Sequence, residues 1–374
     1  MIIGISKETA DLEKRVALTP ESASKWVEAG ATVRIEAGAG SASSYPDELY
    51  RKLGCEVVDH RSTVFSESDL LIAVNTPPDE DLARMKRGST LICFLWALQH
   101  PEKVEKLKEL GITALGLDAV PRISRAQTMD ALSSMSNIAG YRAALIGATE
   151  LDRYLPMMMT AAGTIPPAKV LVLGAGVAGL QAIATAKRLG AVVEAFDIRP
   201  VVKEQVESLG ASFVEIPLDE EETETKGGYA KEATDSDRQK QEEVTHKHVV
   251  KSDIVITTAL IPGKKAPILV TKEMVKEMKT GSVVVDLAAE QGGNCEVTSP
   301  GETIIWNGVR IAGPLNLPST LAYHASQLFS KNILSLLDLL IKDGKIELDF
   351  EDEIVLNTTI THDGKVISPM LTGE

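Results

Sequence analysis

Cysteine is scarce in this sequence, and its positions follow no disulfide or metal spacing. Cys55, Cys93 and Cys295 are an odd number, and no two of them form a Cys-x-x-Cys pair. Disulfide-stapled domains and structural zinc sites use paired, regularly spaced cysteines. The sequence therefore predicts neither kind of site, and it predicts three reduced, partly buried thiols.

Long apolar runs and an excess of positive charge are also missing. No stretch approaches the roughly 18 uninterrupted apolar residues of a membrane-spanning helix, and the amino terminus carries acids where a signal peptide is basic and then apolar. The formal net charge is −14, whereas nucleic acids and anionic membranes attract clustered Lys and Arg. We expect a soluble chain that is not exported and does not bind nucleic acid.

The sequence does contain enough residues for two domains, each with alternating strand and helix patterns. Its 374 residues exceed one ordinary domain. Helical patterns separate short apolar runs that are typical of buried parallel strands, and these runs lie at 2–5, 32–37, 70–74, 90–95 and 112–117. Such alternation predicts a doubly wound α/β sheet.

A second unit of the same kind follows a proline-containing break at 160–169. Residues 170–199 read as strand, glycine turn, helix and strand, and further strand patterns lie at 253–259, 282–288 and 309–313. We expect a helix at 132–154 to connect the units and a helix at 321–341 to return. Alternation at 347–368 predicts further strands, with a hairpin turn at 362–365.

These patterns predict an α/β fold of two doubly wound Rossmann-like domains with a nucleotide cleft between them. The amino-terminal domain is expected to be discontinuous, with residues 1–131 and 320–374. The second domain is expected to span 138–318.

The glycine turn is the strongest chemical signal. Gly174, Gly176 and Gly179 match the GxGxxG pattern, in which the glycines form the turn, admit a pyrophosphate and let the helix pack on the strand. The backbone N–H groups of Val177 and Ala178 begin the helix and are expected to face the phosphates. This predicts a dinucleotide site.

The residue after the next strand bears on which dinucleotide binds. Asp197 lies 23 positions after Gly174, close to the roughly 20 expected of an acid that binds the ribose hydroxyls. Its charge would repel a 2′-phosphate, which favours NAD(H) over NADP(H). Arg199 is the opposing feature, because an arginine at this place can accept that phosphate.

Several segments closely resemble the NAD(H)-binding component, domain I, of the proton-translocating nicotinamide nucleotide transhydrogenases. They include the opening stretch, 157–191, 227–232, 257–267 and 286–295, and the most specific is PRISRAQTMDALSSMSN at 121–137. The resemblance covers the whole chain and implies direct hydride transfer between NAD(H) here and NADP(H) on a partner, domain III. It also implies proton coupling by a membrane domain II, a homodimer, and a cytoplasmic location at the inner face of the cell membrane through those partners.

The resemblance also implies the site residues. Arg122, Gln127, Asp130 and Ser133 would surround the nicotinamide, where an arginine and a carboxylate can hold a carboxamide plane. Further nucleotide contacts are implied at Ile198, Arg199, Tyr229, Ala259 and Leu260, with Tyr229 on a loop that closes over nucleotide. From the residues alone, Asp130 could instead cap a helix whose neighbouring Arg122 and Arg125 are solvated.

Two alternatives share the predicted fold. Alanine dehydrogenases have a similar opening, and the resemblance places their carboxylate-binding arginine at Arg15. However, their lysine, histidine and aspartate positions correspond to Asn75, Trp96 and Glu290, which leaves no general acid for carbonyl reduction. A non-catalytic NAD-binding regulatory module is the other alternative.

Two other features are given structural interpretations. His246 and His248 alternate without an acidic partner, so no metal site is predicted. Residues 157–159 are three methionines, expected to make apolar contacts at the domain junction.

Overall fold

A computed structural model describes residues 1–215, 235–261 and 263–373. The chain forms two compact units: unit 1 is Met1–Met135 with Pro318–Glu374, and unit 2 is Ser136–Leu317. The predicted nucleotide-covering loop with Tyr229 lies outside the described residues.

Unit 1 begins with six parallel strands that are rich in buried aliphatic residues. They are β1 (Ile2–Ile5), β2 (Thr32–Glu36), β3 (Glu56–Val58), β4 (Leu70–Asn75), β5 (Thr90–Phe94) and β6 (Thr113–Gly116). Hydrogen bonds join them in the order β3-β2-β1-β4-β5-β6, so the winding reverses between β1 and β4. This is the strand order of a Rossmann sheet, and it confirms the predicted doubly wound fold.

The helices of this region follow the strands in alternation. They are α1 (Pro20–Glu28), α2 (Asp47–Lys52), α3 (Arg61–Glu67), α4 (Asp79–Leu82) and α5 (Pro101–Leu110). α1 and α5 begin on proline, whose fixed φ and missing N–H suit the first helical position. A short 3-10 helix at Ser124–Met129 precedes α6 (Ala131–Glu150), a shorter helix than predicted.

A β-hairpin opens the sheet region of unit 2. Its strands are β7 (Met158–Thr160) and β8 (Gly163–Ile165), and both are exposed. Met157, Met158 and Met159 are exposed large apolar residues, so the prediction that they pack at a domain junction is wrong within the described chain. Period-two pairing across a tight turn holds them on a hairpin instead.

The main sheet of unit 2 repeats the Rossmann order. Its strands are β9 (Lys169–Leu173), β10 (Val192–Phe196), β11 (Ser212–Phe213), β12 (Ile254–Thr257), β13 (Val283–Asp286), β14 (Thr303–Trp306) and β15 (Val309–Ala312). Their order is β11-β10-β9-β12-β13-β15-β14, with only β14 antiparallel to its neighbour among these described strands. The winding reverses between β9 and β12, where such sheets bind ligands.

Helices cover both faces of this sheet. They are α7 (Val177–Arg188), α8 (Lys203–Ser208), α9 (Asp235–Lys251) and α10 (Lys272–Glu277), besides the carboxyl-terminal half of α6. Aliphatic side chains of the strands alternate between two buried clusters, one for each face. The sheet is therefore rigid where β9 and β12 end.

The chain then returns to unit 1. The remaining elements are α11 (Ala322–Leu340), β16 (Ile341–Lys342), β17 (Lys345–Ile346), α12 (Glu353–Thr358), β18 (Thr359–His362), β19 (Lys365–Val366) and α13 (Pro369–Thr372). β18 pairs antiparallel with β6 and with β19, which confirms the hairpin turn. The strand expected at 353–358 is a helix, because the Asp352 side chain caps it by accepting a hydrogen bond from Ile354 N.

In the described stretches of the chain, no helix combines the length and apolarity needed to cross a bilayer.

Candidate functional site

The glycine turn joins β9 to α7 in unit 2. Gly174 has φ +100°, which favours glycine. A Cβ on Gly179 would lie 1.8 Å from the carbonyl oxygen of Gly174, so the close packing of helix on turn requires a glycine there. A Cβ on Gly176 would have its nearest neighbour, Arg199 Nη2, at 3.9 Å. The space over Gly176 therefore fits the close approach of a pyrophosphate to the start of α7, where Val177 is exposed.

Asp197 lies one residue beyond β10 and is bound to this turn. Its Oδ2 accepts hydrogen bonds from Ala175 N at 2.7 Å and Arg199 Nη2 at 2.8 Å. Its Oδ1 accepts from Arg199 N at 2.9 Å and Arg199 Nε at 2.8 Å. Four donors fill the roughly four lone-pair sites of a carboxylate. A ribose hydroxyl that binds Asp197 must therefore replace some of the Arg199 contacts; the half-buried Ile198 lies between the two residues in the chain.

The loop after β12 borders the same turn. Thr258 Oγ1 donates to the carbonyl oxygen of Gly174 at 3.0 Å. The next residues are Ala259, which is half-buried, and Leu260, which is exposed. The structure thus brings the predicted contacts Ala259 and Leu260 to the point where the winding of the unit 2 sheet reverses.

A buried pair, Asp286 and Asn294, holds this loop from behind, and the sequence analysis did not select either residue. Asp286 ends β13, and its carboxylate accepts hydrogen bonds from both backbone and side-chain donors. Asn294 bonds to the backbone of Ala259 through both side-chain polar atoms. The available signal was an aspartate at a strand end followed by a Gly-Gly-Asn turn.

The motif at 121–137 begins in unit 1. Arg122 and Gln127 are exposed, and Gln127 lies on the 3-10 helix Ser124–Met129. Asp130 precedes α6 and accepts hydrogen bonds from Ser133 N at 2.8 Å and Ser133 Oγ at 2.5 Å. The capping interpretation of Asp130 is therefore confirmed, and this cap fixes both side chains at the start of the helix. Nicotinamide contact by these four residues stays a prediction.

Two further contacts hold the motif in place. Arg125 makes a bidentate pair with Asp352, with N–O distances of 2.6 and 2.8 Å, so it is not simply solvated. Asn332 on α11 donates its amide to the carbonyl oxygen of Thr128 at 2.8 Å. The segment that carries Gln127 is thus fixed to the returning segment of unit 1.

Buried carboxylates lie near the carboxyl ends of β1 and β4. Glu8 accepts hydrogen bonds from Val74 N at 2.6 Å and Asn75 Nδ2 at 3.1 Å, and burial raises the pKa of Glu8 to about 7. Burial would also raise the pKa of Glu13, but the hydrogen bonds and charge of Arg15 lower it to about 2. Asn75 joins the two carboxylates, and it lines a cavity of about 250 Å³.

The positions relevant to alanine dehydrogenase are occupied differently. The guanidinium of Arg15 is buried and binds Glu13 with N–O distances of 2.7 and 2.6 Å. Trp96 has φ +49°, and its backbone N–H donates to the Asp118 carboxylate at 3.0 Å. Glu290 Oε1 accepts from Asn316 N at 2.5 Å. None of these three side chains is a neutral acid aimed at an open site.

The histidine pair of α9 is different from expectation. His246 lies 3.2 Å from Glu277, and His248 lies 2.6 Å from Glu194, so each has an acidic partner from another element. Among the described residues, no group of three or more His, Cys, Asp or Glu side chains could hold a metal ion.

Comparison with known proteins agrees with this architecture. A family model described as alanine dehydrogenase/PNT, N-terminal domain, matches residues 4–139, and the corresponding C-terminal domain model matches 143–369. A polypeptide of the NAD(P) transhydrogenase subunit alpha of Rhodospirillum rubrum is 50% identical over 382 residues, covering 100% of each chain.

Solved structures give the same result. The transhydrogenase from Sinorhizobium meliloti superposes with a TM-score of 0.86 at 42% identity, covering 99% of this chain and 100% of that one. An L-alanine dehydrogenase superposes with a TM-score of 0.83 at 28% identity, covering 100% and 98%. The sequence resemblance is thereby confirmed: this chain belongs to the alanine dehydrogenase/PNT family and, within it, to the NAD(P) transhydrogenase alpha subunits.

Proposed function

We propose that this chain is the NAD(H)-binding component of an NAD(P) transhydrogenase. Hydride passes directly between NAD(H) on this chain and NADP(H) on a partner, domain III. The observation that carries the proposal is the glycine turn at the reversal point of the unit 2 sheet, with Asp197 bound to its Ala175 N–H. Full-length similarity to a transhydrogenase alpha subunit supports it.

The role of the protein in this reaction is orientation. When bound, the dinucleotides supply the carbon atoms that exchange hydride, and no proton moves in that step, so no general acid or base is needed. Val177 and Ala178 would offer N–H groups to the pyrophosphate, and Asp197 would bind the ribose. Arg122, Gln127, Asp130 and Ser133 would hold the nicotinamide plane, which matters because small displacements of a reacting ring are costly to rate.

The partners follow from the same proposal. A membrane domain II would couple hydride transfer to proton translocation, and the chain would act as a homodimer in the cytoplasm, held at the inner face of the cell membrane by its partners. The names of the relatives support such an assembly, because they are alpha subunits.

Alanine dehydrogenation is the less favoured alternative. The Arg15 guanidinium that would bind a substrate carboxylate is engaged by Glu13. Asn75 and Trp96 offer no proton at physiological pH for a keto oxygen. A non-catalytic NAD-binding module would bind the nucleotide equally well, so only a transfer assay separates it from the proposed enzyme.

The purified chain alone is expected to bind NADH but to catalyse no redox reaction. Addition of a purified domain III loaded with an NADP⁺ analogue should start rapid reduction of that analogue, followed by absorbance, without any membrane. Domain III with NADH and no added chain is the control. Alanine-dependent reduction of NAD⁺ by the chain alone would overturn the proposal, and so would a mixture that stays inactive although each component binds its nucleotide.

Cofactor preference is expected to depend on Asp197. Hydrogen bonds to a charged group contribute about 1.5–3 kcal/mol, so the parent chain should bind NADH at least about tenfold more tightly than NADPH. Asp197→Asn should narrow that ratio, and Arg199→Ala should widen it because the only nearby guanidinium in the described turn is removed. Titration calorimetry gives both ratios, and equal affinities in the parent chain would contradict the prediction.

A further inference from the structure

The strongest unassigned feature is the completely buried carboxylate at the end of β13. Asp286 Oδ1 accepts from Thr257 Oγ1 and Ala288 N, each at 3.0 Å. Its Oδ2 accepts from Asn294 N at 2.8 Å, Cys295 N at 2.9 Å and Thr298 Oγ1 at 2.7 Å. Both oxygens are fully used within the fold, which compensates the cost of burying a charge.

The turn that delivers these donors requires glycine. Gly292 and Gly293 have φ values of +95° and +79°, and a Cβ on Gly293 would lie 2.9 Å from Asp286 Oδ2. Two successive left-handed residues curl the backbone so that the N–H groups of 294 and 295 converge on one anion. The carboxylate therefore fixes the position of Asn294.

Asn294 is itself fully buried and transmits this position to the loop after β12. Its Oδ1 accepts from Ala259 N at 3.0 Å, and its Nδ2 donates to the carbonyl oxygens of Ala259 at 2.9 Å and Pro267 at 2.8 Å. An amide can satisfy both the donor and the acceptor of one residue only in a single orientation. Ala259 is thereby held at both of its backbone polar groups.

We propose that Asn294, oriented by Asp286, is a positioning residue that presents the Ala259 backbone to the bound dinucleotide. This inference deepens the proposed function and rests on it. The adjacent Thr258 Oγ1 bonds to Gly174 O at 3.0 Å, so the held loop and the glycine turn form one surface. A preordered loop binds the nucleotide without the entropy cost of ordering it.

The test compares two variants that each weaken the same buried network. Asn294→Ala removes the hold on Ala259, whereas Thr298→Val removes one hydrogen bond to Asp286 and leaves the Ala259 contacts intact. We expect Asn294→Ala to raise the NADH dissociation constant at least about tenfold and to speed amide exchange of residues 258–261. We expect Thr298→Val to lower the thermal midpoint with a change in NADH affinity of less than about twofold.

Several outcomes decide the matter. Equal affinity losses in the two variants would mean a merely structural network, and unchanged affinity in folded Asn294→Ala would also overturn the inference. If that variant does not fold, Asn294→Ser and the exchange rate of the Ala259 amide in the parent chain replace it, and rapid exchange of that amide would count against the proposal. A parent chain that binds no NADH would instead refute the proposed function, while the exchange comparison would still test the loop.

Discussion

Gly176→Ala is expected to abolish measurable NADH binding while the free energy of unfolding stays within about 0.5 kcal/mol of the parent value. The backbone of Gly176 has φ −74° and ψ −169°, which alanine adopts without strain. A methyl group there has no protein atom closer than 3.9 Å, so the free fold accommodates it. It would, however, occupy the space through which the pyrophosphate reaches the α7 N–H groups. Calorimetry with NADH and a urea titration measure the two quantities.

Gly179→Ala is the matched control for this prediction. Its Cβ would lie 1.8 Å from Gly174 O and 2.9 Å from Gly174 C, so helix and turn must separate. We expect this variant to lose stability and binding together. If Gly176→Ala retained NADH affinity within a factor of about three, the pyrophosphate would not lie over this turn.

Glu8→Gln is expected to flatten the dependence of unit 1 stability on pH. The pKa of Glu8 is raised from 4.5 to about 7 by burial, so the folded state binds this proton more tightly than the unfolded state does. Its contribution to stability is therefore fully present below pH 4.5 and declines as pH rises through 7. At about 1.36 kcal/mol for each pKa unit, the decline amounts to about 3 kcal/mol at most. Hydrogen exchange of unit 1 strand amides between about pH 5 and 8, corrected for intrinsic rates, measures it.

Glu13→Gln provides a control with the opposite sign. The pKa of Glu13 is lowered to about 2, so its contribution is constant between about pH 5 and 8 and is lost only as pH falls through 2. This variant should displace the whole stability curve without changing its slope in that window. The interpretation of Glu8 fails if the parent chain shows no decline above about pH 6, or if Glu8→Gln leaves the slope unchanged.

Periodicity and glycine spacing predicted the parallel strands of both sheets because each rule is local. The glycine turn after β9 could be located from its pattern, and the contact of Asp197 with Ala175 N follows from the position where β10 ends. The capping role of Asp130 was also readable, because a cap involves only the next three residues. These features depend on neighbours within one strand–turn–helix unit.

Contacts between distant segments could not be read in this way. Arg199 fills the Asp197 carboxylate, and Asp286 gathers donors from three segments, because the fold brings them together. The alternation at 353–358 suggested a strand, but the Asp352 cap selects a helix. The exposure of Met157–Met159 depends on how a hairpin is placed, which composition does not encode.

The placement of β18 beside β6 has a consequence for biosynthesis. Residues 318–374 leave the ribosome after all of unit 2 has been made, yet unit 1 needs them to cover the edge of β6. Unit 2, which is continuous in the chain, can close first, while β6 remains an open strand edge of the kind that pairs with other chains. A nascent polypeptide thus finishes its second unit before its first, and the interval is when it most needs protection from aggregation.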